Sequence, residues 1–165
     1  MRVLGIDTSL RSTGLAVVEE KGSRLTAVES SAVKLPARCP LSECLVTLGR
    51  RVTELMDRAR PEAAAIEGVF FCKNARTSLI LGEARGAVIT ACAARGLPIY
   101  EYAPRRVKQA VVGYGTASKV QVQSMVVTLL GLRETPQEDE GDALAIAICH
   151  LHNRTRHDAL MPKAI

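Results

Sequence analysis

One stretch constrains this chain more than any other: an apolar run that ends in a lone acid, Leu4-Gly5-Ile6-Asp7-Thr8-Ser9. A short polar link containing Arg11 and Ser12-Thr13-Gly14 follows, and then a second apolar run, Leu15-Ala16-Val17-Val18. The alternation and the turn residues predict a β-hairpin. Asp7 then sits inside a strand, where a charge is costly unless something pairs with it. A strand carboxylate without a basic partner close by suggests a metal ligand. The alternative is a turn aspartate that caps the bend from Ser9 to Ser12.

Downstream, Arg24 to Val33 reads as a third strand after the Lys21-Gly22-Ser23 turn. Apolar residues at helical spacing from Leu41 to Arg60 predict a long helix that Pro61 stops. Ala63-Ala64-Ala65-Ile66-Glu67 then reads as a fully apolar strand ending in an acid. Such a strand after a helix suggests a buried parallel partner of the first one. Asp7 and Glu67 would lie at matching ends of adjacent strands, where open α/β sheets gather their sites.

Asn74 to Arg95 predicts a second long helix, rich in small residues, and Leu97 to Tyr102 a fifth strand. Pro104 opens a short helix carrying Arg105, Arg106 and Lys108. Ser118 caps another, which runs to about Leu130 with Lys119 in its first turn. A base there opposes the helix dipole, so some other requirement places it. The last helix, about Asp139 to Asn153, puts Asp139 and Asp142 on one face of its first turn. Acids in a first turn also complement the dipole, and Glu138, Asp139, Glu140 and Asp142 could do no more than that.

With 165 residues, one domain over 1–153 is expected, followed by a basic, mobile tail over 154–165. The net charge of +5 suits a polyanion binder without proving one. Five cysteines without a C-x-x-C pair argue against both a disulfide framework and a zinc site. There is no signal-peptide pattern and no apolar run near the ~18 residues of a membrane span, so a cytoplasmic protein is expected.

Three strands in a meander, helix, strand, helix, strand, then helices is the element order of the ribonuclease H-like fold. That fold is α/β, with a five-stranded mixed sheet (an antiparallel meander plus parallel strands) flanked by helices. Its first strand is central, which would bring Asp7, Glu67, Asp139 and Asp142 together. Four carboxylates share a pocket only at high electrostatic cost, which divalent cations remove. Oxygen-only ligation suits Mg²⁺ or Mn²⁺ rather than zinc.

The residues that carry a closer resemblance are Gly5-Ile6-Asp7 with Thr13-Gly14, and Ile66-Glu67-Gly68-Val69-Phe70 with Lys73-Asn74-Ala75. They continue through Leu81-Gly82-Glu83-Ala84-Arg85-Gly86, Val107-Lys108-Gln109, Lys119-Val120-Gln121-Val122-Gln123 and Asp139-Glu140-Gly141-Asp142-Ala143-Leu144-Ala145. In these the chain resembles the RuvC family of bacterial Holliday-junction resolvases, to about His152. The resemblance implies a homodimeric endonuclease of recombination and repair that nicks a four-way DNA junction symmetrically. Two Mg²⁺ ions per site would cut the phosphodiester and leave 5′-phosphate and 3′-hydroxyl ends. Asp7, Glu67, Asp139 and Asp142 take the catalytic and metal-ligand positions. Lys108 and Lys119 match basic residues near the scissile phosphate and DNA backbone, and Phe70 an aromatic that stacks on bases, with Phe71 read as core. Lys73, Arg76 and Arg105 join them as DNA-contacting residues. A branch-migration motor of the RuvA–RuvB type is a further expected partner.

Thr8-Ser9 departs from the Pro-Gly common after the first aspartate, and Gly68 from a larger polar residue after the glutamate. Neither removes a ligand. Cys72 beside the DNA-facing loop is read as inert. The rival is the sugar-kinase, Hsp70 and actin-like superfamily, whose phosphate hairpin reads much like this one and which would bind a nucleotide or act as a scaffold. It expects a second glycine-rich loop and a duplicated domain, which this chain lacks. A catalytically silent junction binder of the same fold is the other alternative, and the complete carboxylate set speaks against it.

Overall fold

The computed structural model describes residues 1–68, 74–156 and 162–165. Its elements are β1 (Arg2–Asp7), β2 (Ser12–Lys21), β3 (Arg24–Lys34), α1 (Leu41–Ala59), β4 (Ala63–Glu67), α2 (Ala75–Ala93), β5 (Ile99–Tyr102), α3 (Pro104–Val112), α4 (Lys119–Leu130) and α5 (Glu138–Arg156). The five strands form one mixed sheet in the order β3-β2-β1-β4-β5. β1 pairs antiparallel with β2 and parallel with β4, so the first strand is central, as the sequence predicts.

The strand period of two decides which side each residue faces. Leu4, Ile6, Leu15, Val17, Ala64 and Ile66 join one core, under α1 and α2. Val3, Ala16, Val18 and Ala65 join the other, under α3, α4 and α5. By the same alternation Asp7, two residues beyond Gly5, and Glu67, two beyond Ala65, belong to the α5 side. From Ala143 to Leu151 every α5 residue is buried, as befits a helix lying between a sheet and two other helices. Burying Leu144, Ile146, Ile148 and Leu151 there contributes about 1.5–3 kcal/mol each.

α5 lies unusually close to the sheet because glycine lies beneath it. A β-carbon on Gly5 would collide with the Ala143 carbonyl, and one on Gly14 with the Asp139 carbonyl. Helix starts follow the sequence signals. Asn74 Oδ1 accepts from the backbone N–H groups of Arg76 and Thr77, and Ser118 forms a reciprocal capping box with Gln121. The last residues of the chain meet the sheet. Ala164 makes a β-bridge with Tyr100, and the Ile165 N–H donates to the Ile99 carbonyl at 3.0 Å, adding to the β5 edge of the sheet. Among the described residues no helix is long and apolar enough to cross a membrane.

Candidate active site

Asp7 and Glu67 end β1 and β4, and the first turn of α5 crosses the strands beside them. The bend after Asp7 is closed by hydroxyls. Ser9 Oγ donates to the Ser12 carbonyl at 3.0 Å, Thr13 Oγ1 donates to the Ser9 carbonyl, and the Ser9 N–H donates back to Thr13 Oγ1. The Asp7 carboxyl is therefore not the group that closes this turn.

The acids of the α5 first turn all have partners on other elements. Glu138 accepts from Lys119 Nζ, Asp139 from Ser12 Oγ, and Glu140 from Ser30 Oγ at 2.7 Å. Asp142 Oδ2 pairs with Lys119 Nζ at 2.9 Å. This gives Lys119 its reason for sitting at a helix N-terminus: it bridges two acids of the neighbouring helix.

A cleft of about 210 Å³ opens at the strand ends, lined by Glu67, Asp142, Lys108 and Lys119 over Pro104 and Val107. Burial, and then the charges of Asp142, Glu67 and Asp139, push the Asp7 carboxyl up to about 7, against a smaller opposing effect of Lys119. Burial and Asp142 also raise Glu67, while Lys119 and Lys108 oppose the rise. Burial works against the charge on Lys119, but its bonds to Glu138 and Asp142 outweigh that and hold it above its ordinary value. Three acids thus act electrostatically on Asp7, and Asp142 acts on Glu67 as well, with two lysines at the same cleft. Among the described residues, no three His, Cys, Asp or Glu side chains close on a single point as metal ligands. Two of the four carboxylates are instead held individually, by Ser12 and by Lys119. The donor set is nonetheless all carboxylate oxygen, the chemistry that suits a hard divalent cation.

Of the expected DNA contacts, Arg76 is exposed on the first turn of α2, and Arg105 is exposed on α3, its stem against Gly115. Lys108 and Lys119 line the cleft. Phe70, Phe71, Cys72 and Lys73 lie outside the described residues. Reasoning from the sequence missed Ser12 and Glu138 as partners of the acidic turn. Ser12 is visible there only as a turn residue and Glu138 only as a dipole complement.

The family model described as crossover junction endodeoxyribonuclease RuvC matches residues 3–150. The RuvC crossover junction endodeoxyribonuclease of Alkalilimnicola ehrlichii is 52% identical over 151 residues, covering 92% of this chain and 91% of its own. The solved structure of Thermus thermophilus RuvC in complex with a Holliday junction substrate has a TM-score of 0.92 at 38% identity, covering 98% of this chain and 99% of that one. Another T. thermophilus RuvC structure covers 100% of both chains, with a TM-score of 0.89 and 37% identity. Likeness of this extent displaces the nucleotide-binding superfamily as a reading of the hairpin. The chain belongs to the RuvC family of crossover junction endodeoxyribonucleases and is a structure-selective DNA endonuclease.

Proposed function

We propose that this chain resolves Holliday junctions as a homodimer, with Asp7, Glu67, Asp139 and Asp142 holding two Mg²⁺ ions in each protomer and Mn²⁺ able to replace them. The observation that carries this reading is the cleft where Glu67 and Asp142 meet Lys108 and Lys119 at the strand ends, beside the Asp7 carboxyl, which burial and three other acids push up. Such a group resists ionisation on its own and is ready to take a divalent cation as counter-charge. When bound, the ions supply Lewis acidity to the scissile phosphate and lower the pKa of the attacking water.

The chain's own residues do the rest. Lys108 and Lys119 line the cleft with Glu67 and Asp142, and offer positive charge to a phosphate entering it. Arg76 and Arg105, both exposed, neutralise backbone phosphates farther out. Ser12 fixes the rotamer of Asp139, and the Lys119–Asp142 pair holds the other α5 acid toward the cleft. Phe70 stacking on bases near the crossover and Lys73 contacting backbone complete the reading. A two-fold dimer matches a two-fold junction and sets two sites on strands of like polarity, for paired nicks with 5′-phosphate and 3′-hydroxyl ends. The outer face of α2, where Leu79 is 69% exposed among Gly82 and Gly86, is the proposed contact between protomers. The setting is cytoplasmic, with a branch-migration motor of the RuvA–RuvB type as further partner.

The test is cleavage of a mobile synthetic four-way junction with Mg²⁺, comparing wild type with Asp7→Asn at one salt concentration. Paired symmetric nicks by wild type, with binding but no cutting by the variant, support the proposal. Binding without cutting by either protein, on junctions with randomised crossovers, would make this a silent junction binder.

A further inference from the structure

Arg85 and Glu101 take no part in the chemistry above, yet they hold the strand end from which Glu67 projects. From the middle of α2, the Arg85 guanidinium crosses to β4 and donates to the backbone carbonyl of Glu67 at 2.8 Å. Its other terminal nitrogen donates to the Glu101 carboxylate, on β5. Glu101 is paired with Ile66 in the parallel β4–β5 register, and its carboxylate folds over the next turn of chain: a β-carbon on Gly68 would lie 2.9 Å from Glu101 Oε1. The Gly68 N–H in turn donates to the Tyr102 carbonyl at 2.9 Å. Gly68, with no side chain, thus leaves room for this clasp.

We propose that Arg85, anchored by Glu101, is a positioning residue that sets the direction of the Glu67 carboxylate by fixing the carbonyl of the same residue. The inference rests on the reading of Glu67 as a metal ligand. Arg85 is suited to the task because its side chain is only 13% exposed and its planar fork reaches two strands at once. Its charge is matched by Glu101, whereas the charges acting on the Glu67 carboxyl are those of Asp142, Lys119 and Lys108. Arg85 therefore works through the backbone. Glu101 is 42% exposed, so the ion pair itself contributes little to stability, and its loss is felt mainly as geometry. Groups that orient a metal ligand from behind are typically worth 10–100-fold in metal affinity or activity.

The experiment compares full-length wild type, Arg85→Met, Arg85→Lys, Glu101→Gln and Glu67→Gln. Three quantities are read: Mn²⁺ affinity by calorimetry, junction affinity in Ca²⁺, and single-turnover cleavage against Mg²⁺ concentration. Arg85→Met is expected to weaken Mn²⁺ and slow cleavage by about 10–100-fold while junction affinity stays within about threefold. Arg85→Lys, which keeps one donor, falls between it and wild type, and Glu101→Gln shifts both quantities in the same direction. Wild-type Mn²⁺ affinity and rate in Arg85→Met, alongside loss of both in Glu67→Gln, overturns the positioning role alone. Retention of both in Glu67→Gln overturns the ligand reading and this inference with it. If Arg85→Met does not fold, Glu101→Gln decides: unchanged Mn²⁺ affinity and rate overturn the proposal.

Discussion

The backbone carbonyl of Asp139 lies directly over Gly14, the residue that pairs with Asp7 across β1 and β2. The separation between the strand acid and the helix acids is therefore set by a missing side chain. Any substituent on Gly14 lifts the first turn of α5 away from the sheet.

Gly14→Ala is expected to cost about 1–3 kcal/mol through overpacking and to lower the cleavage rate disproportionately, with junction binding retained. Gly5→Ala, which meets the Ala143 carbonyl, behaves similarly. Gly49→Ala in α1 is the control. Its β-carbon meets only the Ala87 carbonyl at 3.9 Å, so it gains about 0.5–1 kcal/mol from reduced chain entropy. Denaturant unfolding and single-turnover cleavage of the three variants check this.

Asp7→Asn should abolish cutting and yet raise the melting temperature in buffer containing a chelator. The substitution removes a carboxyl that is buried and repelled by Asp142, Glu67 and Asp139. A gain of about 1–3 kcal/mol is expected. Mg²⁺ should stabilise wild type more than the variant, since only wild type keeps the full set of acids. Thermal melts with and without Mg²⁺ test both statements.

Lys119→Gln takes away the cation shared by Glu138 and Asp142. Cleavage is expected to fall by about 10–100-fold, as for loss of a group that stabilises developing charge. The melting temperature in chelator should fall as well, because the acids lose their nearest counter-charge. Glu138→Gln, which leaves the Lys119–Asp142 pair in place, should keep most of the activity. Parallel single-turnover assays distinguish the two.

His150 makes the fold itself sensitive to acid. The ring is 1% exposed, its Nδ1 lies 3.0 Å from the Tyr102 hydroxyl, and Tyr100 packs against it with ring centroids 4.6 Å apart. Burial, helped by Arg154, lowers it from 6.5 to about 4. In that window the unfolded chain binds a proton that the folded chain refuses. Stability is thus full above about pH 6.5 and is lost as pH falls toward 4, by up to about 3 kcal/mol. Unfolding free energies at pH 7.5 and 5 should show the loss. His150→Gln should flatten this part of the pH dependence even if it is less stable at pH 7.5.

Local rules made much of this protein legible in its sequence. Alternation in Leu4-Gly5-Ile6-Asp7 and in Ala63-Ala64-Ala65-Ile66-Glu67 sends both strand acids to the same side, because a strand repeats every two residues. Asn74 and Ser118 announce helix starts because capping acts over three residues, and the residue order from Asp7 to Ala145 carries the family resemblance. The pairings that complete the site act over far greater separations. Ser12 reaches Asp139 across 127 positions, Lys119 reaches Glu138 across 19, and Arg85 reaches Glu101 across 16. Nothing near Ser12 in the chain distinguishes it from any turn serine, and nothing near Glu101 marks it as an anchor for Arg85. The return of Ala164 to Tyr100 is equally silent, since it depends on an open sheet edge that exists only after β5 has docked. The sequence by itself determined the strands, the helices and which acids could meet. Only the tertiary structure decided which hydroxyl, lysine and arginine hold them, because those partners are chosen by how closely α5 and α2 pack onto the sheet.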